Sequence, residues 1–243
     1  MRLKSVLLSL SAVAALMSNV ANAVPLITNG NFELTTNGTN KQLSSSPTSA
    51  TNRTTLTGWT SGNGTDGGYN FVLNSNIITS SSSVIGFKSY TSSTAHDNVF
   101  ASDALWFPGA LSQAITGLTA GSLYVLNFDY AVGQQTGFDG KNINNYWQVG
   151  FGNAMQNSSM LSIDNGGFSG WKTASMTFTA SSASQVLSFM AMGTAPGAPP
   201  FMLLDNVSMQ AAVPEPSTLS LMLGGAGLVG FLARRRRKAK AAA

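Results

Sequence analysis

The side chains that could do chemistry in this chain are few, and they offer little for catalysis. There is one histidine, His96, and no cysteine, so a histidine-dependent triad would have to use His96, and a zinc site of histidines and cysteines is excluded. His96 stands beside Asp97 in a polar stretch, and no Gly-x-Ser-x-Gly elbow is present. We therefore expect His96 to lie in a solvated loop.

Paired carboxylates are the other route to a hydrolase, because a glycosidase needs two acids facing each other across the scissile bond. The chain has nine acidic residues, and no local spacing singles out a pair. The aspartates that could contribute are Asp103, Asp129, Asp139 and Asp164. We predict that the protein is not an enzyme and assign no catalytic residue, and a polysaccharide hydrolase stays as the least favoured alternative.

Aromatic side chains near amides and acids are the candidates for ligand binding. The face of an aromatic ring stacks on the C–H groups of a sugar, while amides and carboxylates bind its hydroxyls. The candidate residues are Tyr146, Trp147, Trp59 and Trp106, with Tyr69 also considered. We favour Tyr146 and Trp147, which are adjacent, point to opposite faces of a strand and follow the polar stretch 133–145. The alternative is that these rings fill the core.

Strands are the elements that must position these side chains. Alternate residues 124, 126, 128 and 130 are apolar, and the same period of two recurs at 111–115, 147–151 and 174–178. Residues 185–192 are apolar on both faces, which is typical of an inner strand. About ten short strands with Gly, Ser and Asn turns predict an all-β fold, an antiparallel β-sandwich. A polar Ser/Thr/Asn-rich stretch at about 35–55 is predicted to be a long surface loop or a disordered insertion.

The first residues have the pattern of a secretory signal peptide. Arg2 and Lys4 precede the apolar run 6–17, and Ala21 and Ala23 form a small-x-small cleavage site. We predict a helical signal peptide at 1–23 and a β-sandwich domain at 24–212.

The end of the chain has three unlike features in a row. It opens with a stiff, polar lead-in made of Val213, Pro214, Glu215 and Pro216. The uncharged residues 218–233 would form a helix of ~24 Å, and a start at Pro216 lengthens it. A basic cluster follows at 234–240 and contains Arg234, Arg235, Arg236, Arg237 and Lys238. Because such cations stay cytoplasmic, we predict a transmembrane helix at about 216–233 with the domain outside.

The charge of the chain belongs mainly to its ends. The formal net charge is +4, and the sequence pI is about 9.5. The segment 24–212 nevertheless holds five basic and eight acidic residues. A nucleic-acid partner therefore has no support, since binding to phosphates would need a basic domain.

The tail resembles the PEP-CTERM sorting signal of Gram-negative bacteria: Pro-Glu-Pro, a short Gly-rich apolar helix and an arginine cluster at the end. The resemblance covers about the last thirty residues. It implies recognition by an exosortase with the secretion machinery, insertion in the inner membrane before processing, and then a place at the cell surface or in an extracellular matrix rich in exopolysaccharide. A plain single-pass anchor that is never cut is the alternative.

The middle of the chain resembles the galactose-binding-like jelly rolls of carbohydrate-binding modules. The resemblance rests on 29–33 (Asn-Gly-Asn-Phe-Glu), on 111–128 and on 204–208 (Leu-Asp-Asn-Val-Ser). It implies a structural calcium ion between the first and last strands, with Glu33 and Asp205 as carboxylate ligands and with backbone carbonyls and Asn31 completing the oxygen shell. Alternatively, Asp205 accepts backbone hydrogen bonds.

The sequence thus predicts an exported, non-enzymatic protein with a structural or adhesive role linked to exopolysaccharide. The alternative of a different class is a carbohydrate-binding module with a defined glycan ligand. The sequence gives no basis for naming the glycan or the oligomeric state.

Overall fold

The computed structural model describes residues 25–212, with gaps at 48, 63–66, 92–96 and 195–198, and four single residues at 225, 227, 228 and 230. The predicted signal peptide, His96 and nearly all of the sorting tail, including its helix and basic cluster, lie outside the described residues. Within the described part, no helix is long and apolar enough to cross a membrane.

The described domain is all-β and contains thirteen strands. The strands are β1 (Lys41–Leu43), β2 (Arg53–Thr54), β3 (Thr60–Gly62), β4 (Asn70–Asn74), β5 (Asn98–Asp103), β6 (Ala110–Thr116), β7 (Leu123–Gln134), β8 (Asn142–Phe151), β9 (Ala154–Asn157), β10 (Leu161–Ile163), β11 (Lys172–Thr179), β12 (Ser184–Thr194) and β13 (Pro200–Ala211).

Two sheets pack face to face as a sandwich. The seven-stranded sheet has the order β11-β7-β13-β5-β4-β1-β2, and the six-stranded sheet has the order β10-β8-β12-β6-β3 with β9 beside β8. The pairs are antiparallel except β1 with β2. The chain crosses from one sheet to the other after β2, β3, β5, β6, β7, β10, β11 and β12. These crossings make the sandwich a jelly roll, as the sequence predicts.

The core between the sheets is built from the alternating residues of the long strands. In β7 the side chains of Tyr124, Leu126 and Phe128 are buried in it, whereas Val125 and Asn127 are half-buried on the opposite face. The predicted alternation is therefore confirmed for this strand. Strand β12 lies between β8 and β6, which confirms the prediction of an inner strand there.

A second apolar cluster covers the other face of the seven-stranded sheet. It includes Phe71 of β4 and Phe201 of β13, together with Ile78, Ile85 and Phe87 from the connection between β4 and β5. This sheet is therefore buried on both faces, which explains why β4, β5 and β13 are apolar at successive positions.

The sequence predicts a surface loop or a disordered insertion at about 35–55; most described residues of this stretch lie outside strands, and five form two short strands. It contains β1 and β2, and β1 pairs with β4 at the edge of the seven-stranded sheet. The side chain of Leu43 is fully buried. Its surroundings are supplied by distant strands, so the local polarity of the stretch did not indicate that it folds.

Strand β13 ends the domain in the middle of a sheet. It pairs with β7 from Pro200 to Ala211 and with β5 from Phe201 to Leu204. The register shifts between Asp205 and Ser208, where Val207 N donates to Gly30 O at 2.9 Å. The first described segment of the domain is thus bonded to its last strand.

Candidate functional site

A cavity of about 320 Å³ lies at one end of the seven-stranded sheet. It is lined by Tyr69, Asp103, Trp106, Gln135, Phe138 and Pro199. These residues end or follow β5 and β7, or precede β4 and β13, so the topology of the jelly roll brings four distant segments together. We call this cavity the aromatic pocket.

Asp103 fixes the segment that carries the pocket's tryptophan. Its Oδ1 accepts hydrogen bonds from the backbone N–H groups of Leu105 at 2.8 Å and Trp106 at 3.1 Å. The indole of Trp106 is 61% exposed and contacts the edge of Phe107, with ring centroids 5.1 Å apart. An exposed ring is therefore held on an ordered backbone.

Tyr69 forms the side of the pocket next to β4. Its N–H donates to Phe107 O at 2.8 Å, and its ring stands edge-on to Phe71 at 4.8 Å. Gly68 has φ +72°, and a Cβ at that position would lie 2.9 Å from the Cα of Gly109. Glycine is needed here because the two backbone segments touch.

Phe138 forms the opposite side and is held by its backbone carbonyl. The carbonyl oxygen accepts hydrogen bonds from Gln134 Nε2 and from Lys88 Nζ, each at 2.7 Å. Lys88 Nζ also contacts Asp139 Oδ1 at 2.8 Å. Gln134 is fully buried and donates a second hydrogen bond to Asn165 Oδ1 at 3.1 Å. The loop after β7 is thus tied to the domain on two sides.

The pocket combines apolar walls with one buried acid. Asp103 is 2% exposed, and this burial raises the pKa of its carboxyl group, against the opposing effect of the two backbone donors. Burial, and then the negative charge of Asp103, also raise the pKa of the Tyr69 hydroxyl. Three aromatic rings, a carboxylate and the Gln135 amide are the groups that a sugar ring would need.

Of the predicted aromatic candidates, Trp106 lies in this pocket, but Trp147 and Trp59 do not face a ligand. Trp147 is fully buried against Phe100, and its Nε1 donates to Leu203 O at 3.0 Å. Trp59 is 6% exposed and donates to Asn29 O at 3.0 Å. The prediction that these two rings bind a ligand is wrong, because each packs in the core with its N–H satisfied inside.

Tyr146 lies at a different surface. It is half-buried on the outer face of the six-stranded sheet, opposite in direction to Trp147, as the alternation predicts. It lines a cavity of about 330 Å³ with Asn144, Met160, Met192, Gly193 and Thr194. The structure therefore separates Tyr146 from Trp106 instead of bringing them into one site.

Glu33 and Asp205 approach each other near the start of β5. Asp205 is 1% exposed, and burial, with the nearby charges of Glu33, Asp129 and Asp97 in a smaller role, raises its pKa to about 8. Its Oδ1 accepts a hydrogen bond from Asn206 N at 2.7 Å. Glu33 is exposed, and its carboxylate accepts two hydrogen bonds from Asn98, at 2.8 and 2.5 Å.

The oxygen atoms at Glu33 and Asp205 are of the type that Ca²⁺ binds, but the two side chains are too few to complete its coordination shell. Carboxylate and amide oxygens are ligands that Ca²⁺ prefers, and Asp205 is a buried acid among other acids. Among the described residues, however, no three acidic or histidine side chains are grouped closely enough to hold a metal. A calcium ion at Glu33 and Asp205 would need backbone carbonyls or water for most of its shell.

The other acids considered for hydrolysis do not face Asp103 across the pocket. Asp139 is paired with Lys88 and Asp164 with Lys141, while Asp129 accepts a hydrogen bond from Thr173 Oγ1 at 2.7 Å. Among the described lining residues, Asp103 is the one carboxylate.

Sequence reasoning missed three residues of the pocket, Gln135, Phe138 and Pro199. A single aromatic residue within the polar stretch 133–145 is the signal that could have identified Phe138. No sequence pattern identifies Gln135, because its position is fixed by an isolated β-bridge to Phe87.

Solved structures similar to this chain include sugar-binding modules and an adhesin. TmCBM61 in complex with beta-1,4-galactotriose is 11% identical, with 78% of this chain and 99% of that chain covered and a TM-score of 0.38. The CBM22-1 xylan-binding domain of Paenibacillus barcinonensis Xyn10C is 12% identical, with 65% and 87% covered and a TM-score of 0.35. The K2 cleaved adhesin domain of Lys-gingipain is 13% identical, with 64% and 89% covered and a TM-score of 0.37.

No curated protein shows significant similarity to the chain. The family model of the PEP-CTERM protein-sorting motif matches residues 212–237, which begin where the described domain ends. This confirms the predicted resemblance of the tail to the PEP-CTERM sorting signal, and the motif implies exosortase-type processing. The chain is thus an exported protein with a PEP-CTERM sorting tail at its C-terminus.

Proposed function

We propose that this exported protein binds glycans through the aromatic pocket and acts as an adhesive or structural component in the cell's own exopolysaccharide. The observation that carries the proposal is the exposed indole of Trp106, whose backbone N–H is hydrogen-bonded to the buried carboxylate of Asp103. Most large aromatic rings of this domain are in its core. Core packing does not explain the exposed ring of Trp106. Stacking on a sugar would explain it.

The pocket has the polar groups that a sugar requires. Asp103 and Gln135 offer oxygen and amide groups between the rings of Tyr69, Trp106 and Phe138. A volume of about 320 Å³ is near the lower end of the ~300–1,000 Å³ typical of small-molecule sites. The pocket would therefore hold one sugar residue or a chain end, with the rest of the glycan in solvent.

The tail supports the location that the proposal needs. A PEP-CTERM protein passes through the inner membrane, where the helix at about 216–233 would hold it until an exosortase acts on the Pro-Glu-Pro element. The domain would then stand at the cell surface or in the matrix, beside the polysaccharide. The signal peptide proposed at 1–23 would direct the chain into the same export route and would then be cleaved.

The proposal is tested by affinity electrophoresis of the full chain, in non-ionic detergent, through gels that contain the exopolysaccharide of the producing cell. Retardation is expected for the wild type and should be lost in Trp106→Ala and Phe138→Ala. Val186→Ala is the matched control, since Val186 is 52% exposed on the outer face of the other sheet. Equal retardation of all four proteins would contradict the pocket assignment.

Hydrolysis is read out in the same samples. The proposed binding protein leaves the polysaccharide intact, so no new reducing ends should appear. Reducing ends that form with wild type and vanish with Asp103→Asn would show an enzyme instead, because the same carboxylate would then be acting as an acid or base.

Tyr146 is proposed as a second contact for a long glycan. Its cavity of about 330 Å³ and the neighbouring Asn144 amide offer a ring and a polar group on the outer face of the six-stranded sheet. Tyr146→Ala should weaken retardation by long polysaccharide while leaving the binding of short oligosaccharides unchanged. Loss of short-oligosaccharide binding would show that the two cavities are not separate sites.

We also propose that a calcium ion can bind at Glu33 and Asp205 and join the first segment of the domain to β13. The support is the chemistry of the two carboxylates and the burial of Asp205. A bound cation would offset the cost of burying the charged carboxylate, which is the main cause of the raised pKa of Asp205, and the smaller repulsion from the neighbouring acids.

A further inference from the structure

The acid of the aromatic pocket is suited to a charged ligand as well as to a neutral sugar. Asp103 is buried, and its Oδ1 already accepts two backbone hydrogen bonds, while Oδ2 has no hydrogen-bond partner among the described residues. A buried carboxylate is costly unless a positive charge or several donors compensate it. Oδ2 is therefore the carboxylate oxygen that remains available to a ligand in the pocket.

No positive side chain fills that role. Lysine and arginine are absent from the described lining of the pocket. The neighbouring cation, Lys88, is committed elsewhere, because its Nζ contacts Asp139 Oδ1 at 2.8 Å and Phe138 O at 2.7 Å. A cationic ligand in the pocket would compensate the charge of Asp103.

The walls of the pocket favour a cation as well. Tyr69, Trp106 and Phe138 supply three aromatic rings around one carboxylate. The face of an aromatic ring attracts a positive charge, and a set of rings beside an acid is a common way to bind alkylammonium groups. The domain segment 24–212, with eight acidic and five basic residues, adds a weak overall attraction for cationic polymers.

From this arrangement we infer that the sugar bound in the aromatic pocket carries a free, protonated amine, so that the ligand is an amino sugar of a partly deacetylated polysaccharide. The inference rests on the proposed glycan-binding function and narrows it to one chemical class. The ammonium group would donate to Asp103 Oδ2 and lie among the three rings. A charge-assisted hydrogen bond of this kind is shorter and stronger than a bond to a neutral hydroxyl.

The test compares two probes that differ only in the amine. The full chain in non-ionic detergent is titrated calorimetrically with a β-1,4-linked glucosamine oligosaccharide and with its fully N-acetylated counterpart of the same length. We expect the amine form to bind at least about tenfold more tightly, the size of one charge-assisted hydrogen bond. In Asp103→Asn, which keeps an oxygen for the two backbone donors, that preference should disappear.

Asp139→Asn is the matched control. Asp139 is an exposed acid next to the same loop and is paired with Lys88, so its loss removes a charge without touching the pocket's carboxylate. The preference for the amine should survive in this variant. If it survives in Asp103→Asn as well, attraction between a polycation and an acidic protein explains the binding, and the inference is overturned.

The remaining outcomes separate this inference from the proposed function. If the acetylated oligosaccharide binds as tightly as the amine form and Trp106→Ala abolishes both, the pocket binds neutral sugars and the amine inference alone fails. If neither these oligosaccharides nor the cell's own polysaccharide binds, both proposals fail. Should Asp103→Asn unfold, Phe138→Leu provides the second measurement, since removing one ring should weaken the amine form more than the acetylated form.

Discussion

Asp103 Oδ1 lies 3.1 Å from the backbone nitrogen of Trp106 and accepts its hydrogen bond, so a buried acid positions an exposed ring. The same oxygen accepts the N–H of Leu105, and the turn that follows β5 therefore depends on one side chain. Asp103 stabilises the turn after β5 and is also proposed to contact the ligand. Substitutions at Asp103 must therefore be chosen so that the effect on stability can be distinguished from the effect on binding.

Replacing Asp103 by alanine should destabilise the domain more than replacing it by asparagine. Alanine leaves two backbone donors without their acceptor, at a cost of about 1–3 kcal/mol if they stay buried. Asparagine keeps an acceptor oxygen and removes only the charge. Urea unfolding of the two variants measures the difference, and equal midpoints would show that the hydrogen bonds to the turn contribute nothing.

The two tryptophans Trp147 and Trp106 should respond in opposite ways to truncation. Trp147→Ala removes a fully buried ring and should lower the free energy of unfolding by about 3–5 kcal/mol. Trp106→Ala removes a ring that is 61% exposed and should change it by less than about 0.5 kcal/mol. Chemical denaturation in the absence of glycan tests both, and a large loss at Trp106 would mean that this ring is structural.

Stability should fall as the pH rises from about 4 to 8 in the presence of EDTA. The pKa of Asp205 is raised from 3.8 to about 8 in the folded protein, so in this window the folded state holds a proton that the unfolded state has released. The free energy of unfolding therefore decreases with pH, by at most about 1.4 kcal/mol per pH unit from this group. Thermal unfolding at several pH values measures the slope.

The Asp205→Asn variant is the control for that slope. It keeps an oxygen for the Asn206 N–H but cannot ionise. Its stability should vary less with pH than that of the wild type over the same range. Parallel pH profiles of the two proteins would show that another group causes the effect.

Calcium should raise the melting temperature at pH 7, and a chelator should reverse the increase. A ligand that binds only the folded state stabilises it in proportion to the logarithm of its concentration. The shift should be absent in Glu33→Gln and in Asp205→Asn if these carboxylates bind the ion. An unchanged melting curve on addition of EDTA would show that no bound calcium ion stabilises this domain.

Leu43→Ala tests whether the polar stretch 35–55 is part of the folded unit. Leu43 is fully buried in β1, which pairs with β4, and its truncation should cost about 2–5 kcal/mol. Substitution of exposed Leu34, from the same region of the chain, is the comparison and should cost much less. A neutral Leu43→Ala would indicate that this stretch contributes little to the fold.

The strands could be predicted because their signal is local. In β8, alternation at 147–151 marks one buried face, and it correctly sets Tyr146 and Trp147 on opposite sides. Alternation does not say which of two adjacent aromatic residues faces the core. That choice depends on the second sheet, where Leu203 provides the acceptor for the Trp147 indole. The ligand prediction for Trp147 was wrong for this reason.

The aromatic pocket could be predicted only in part because its residues meet through topology. Trp106 was identified by its type, but Tyr69, Phe138 and Pro199 come from separate connections at one end of the sandwich. No spacing along the chain encodes their proximity. It follows from the sheet order, which places β5 between β4 and β13 and so gathers the ends of these strands.

The position of β13 determines how the domain would bear mechanical load. The sorting tail continues directly from this strand, and β13 is hydrogen-bonded to β5 on one side and to β7 on the other. Tension applied through the tail runs along the strand axis, so the rungs of both ladders are strained together and do not open one after another. If the domain is held through its C-terminal tail, the force on β13 is shared by both ladders.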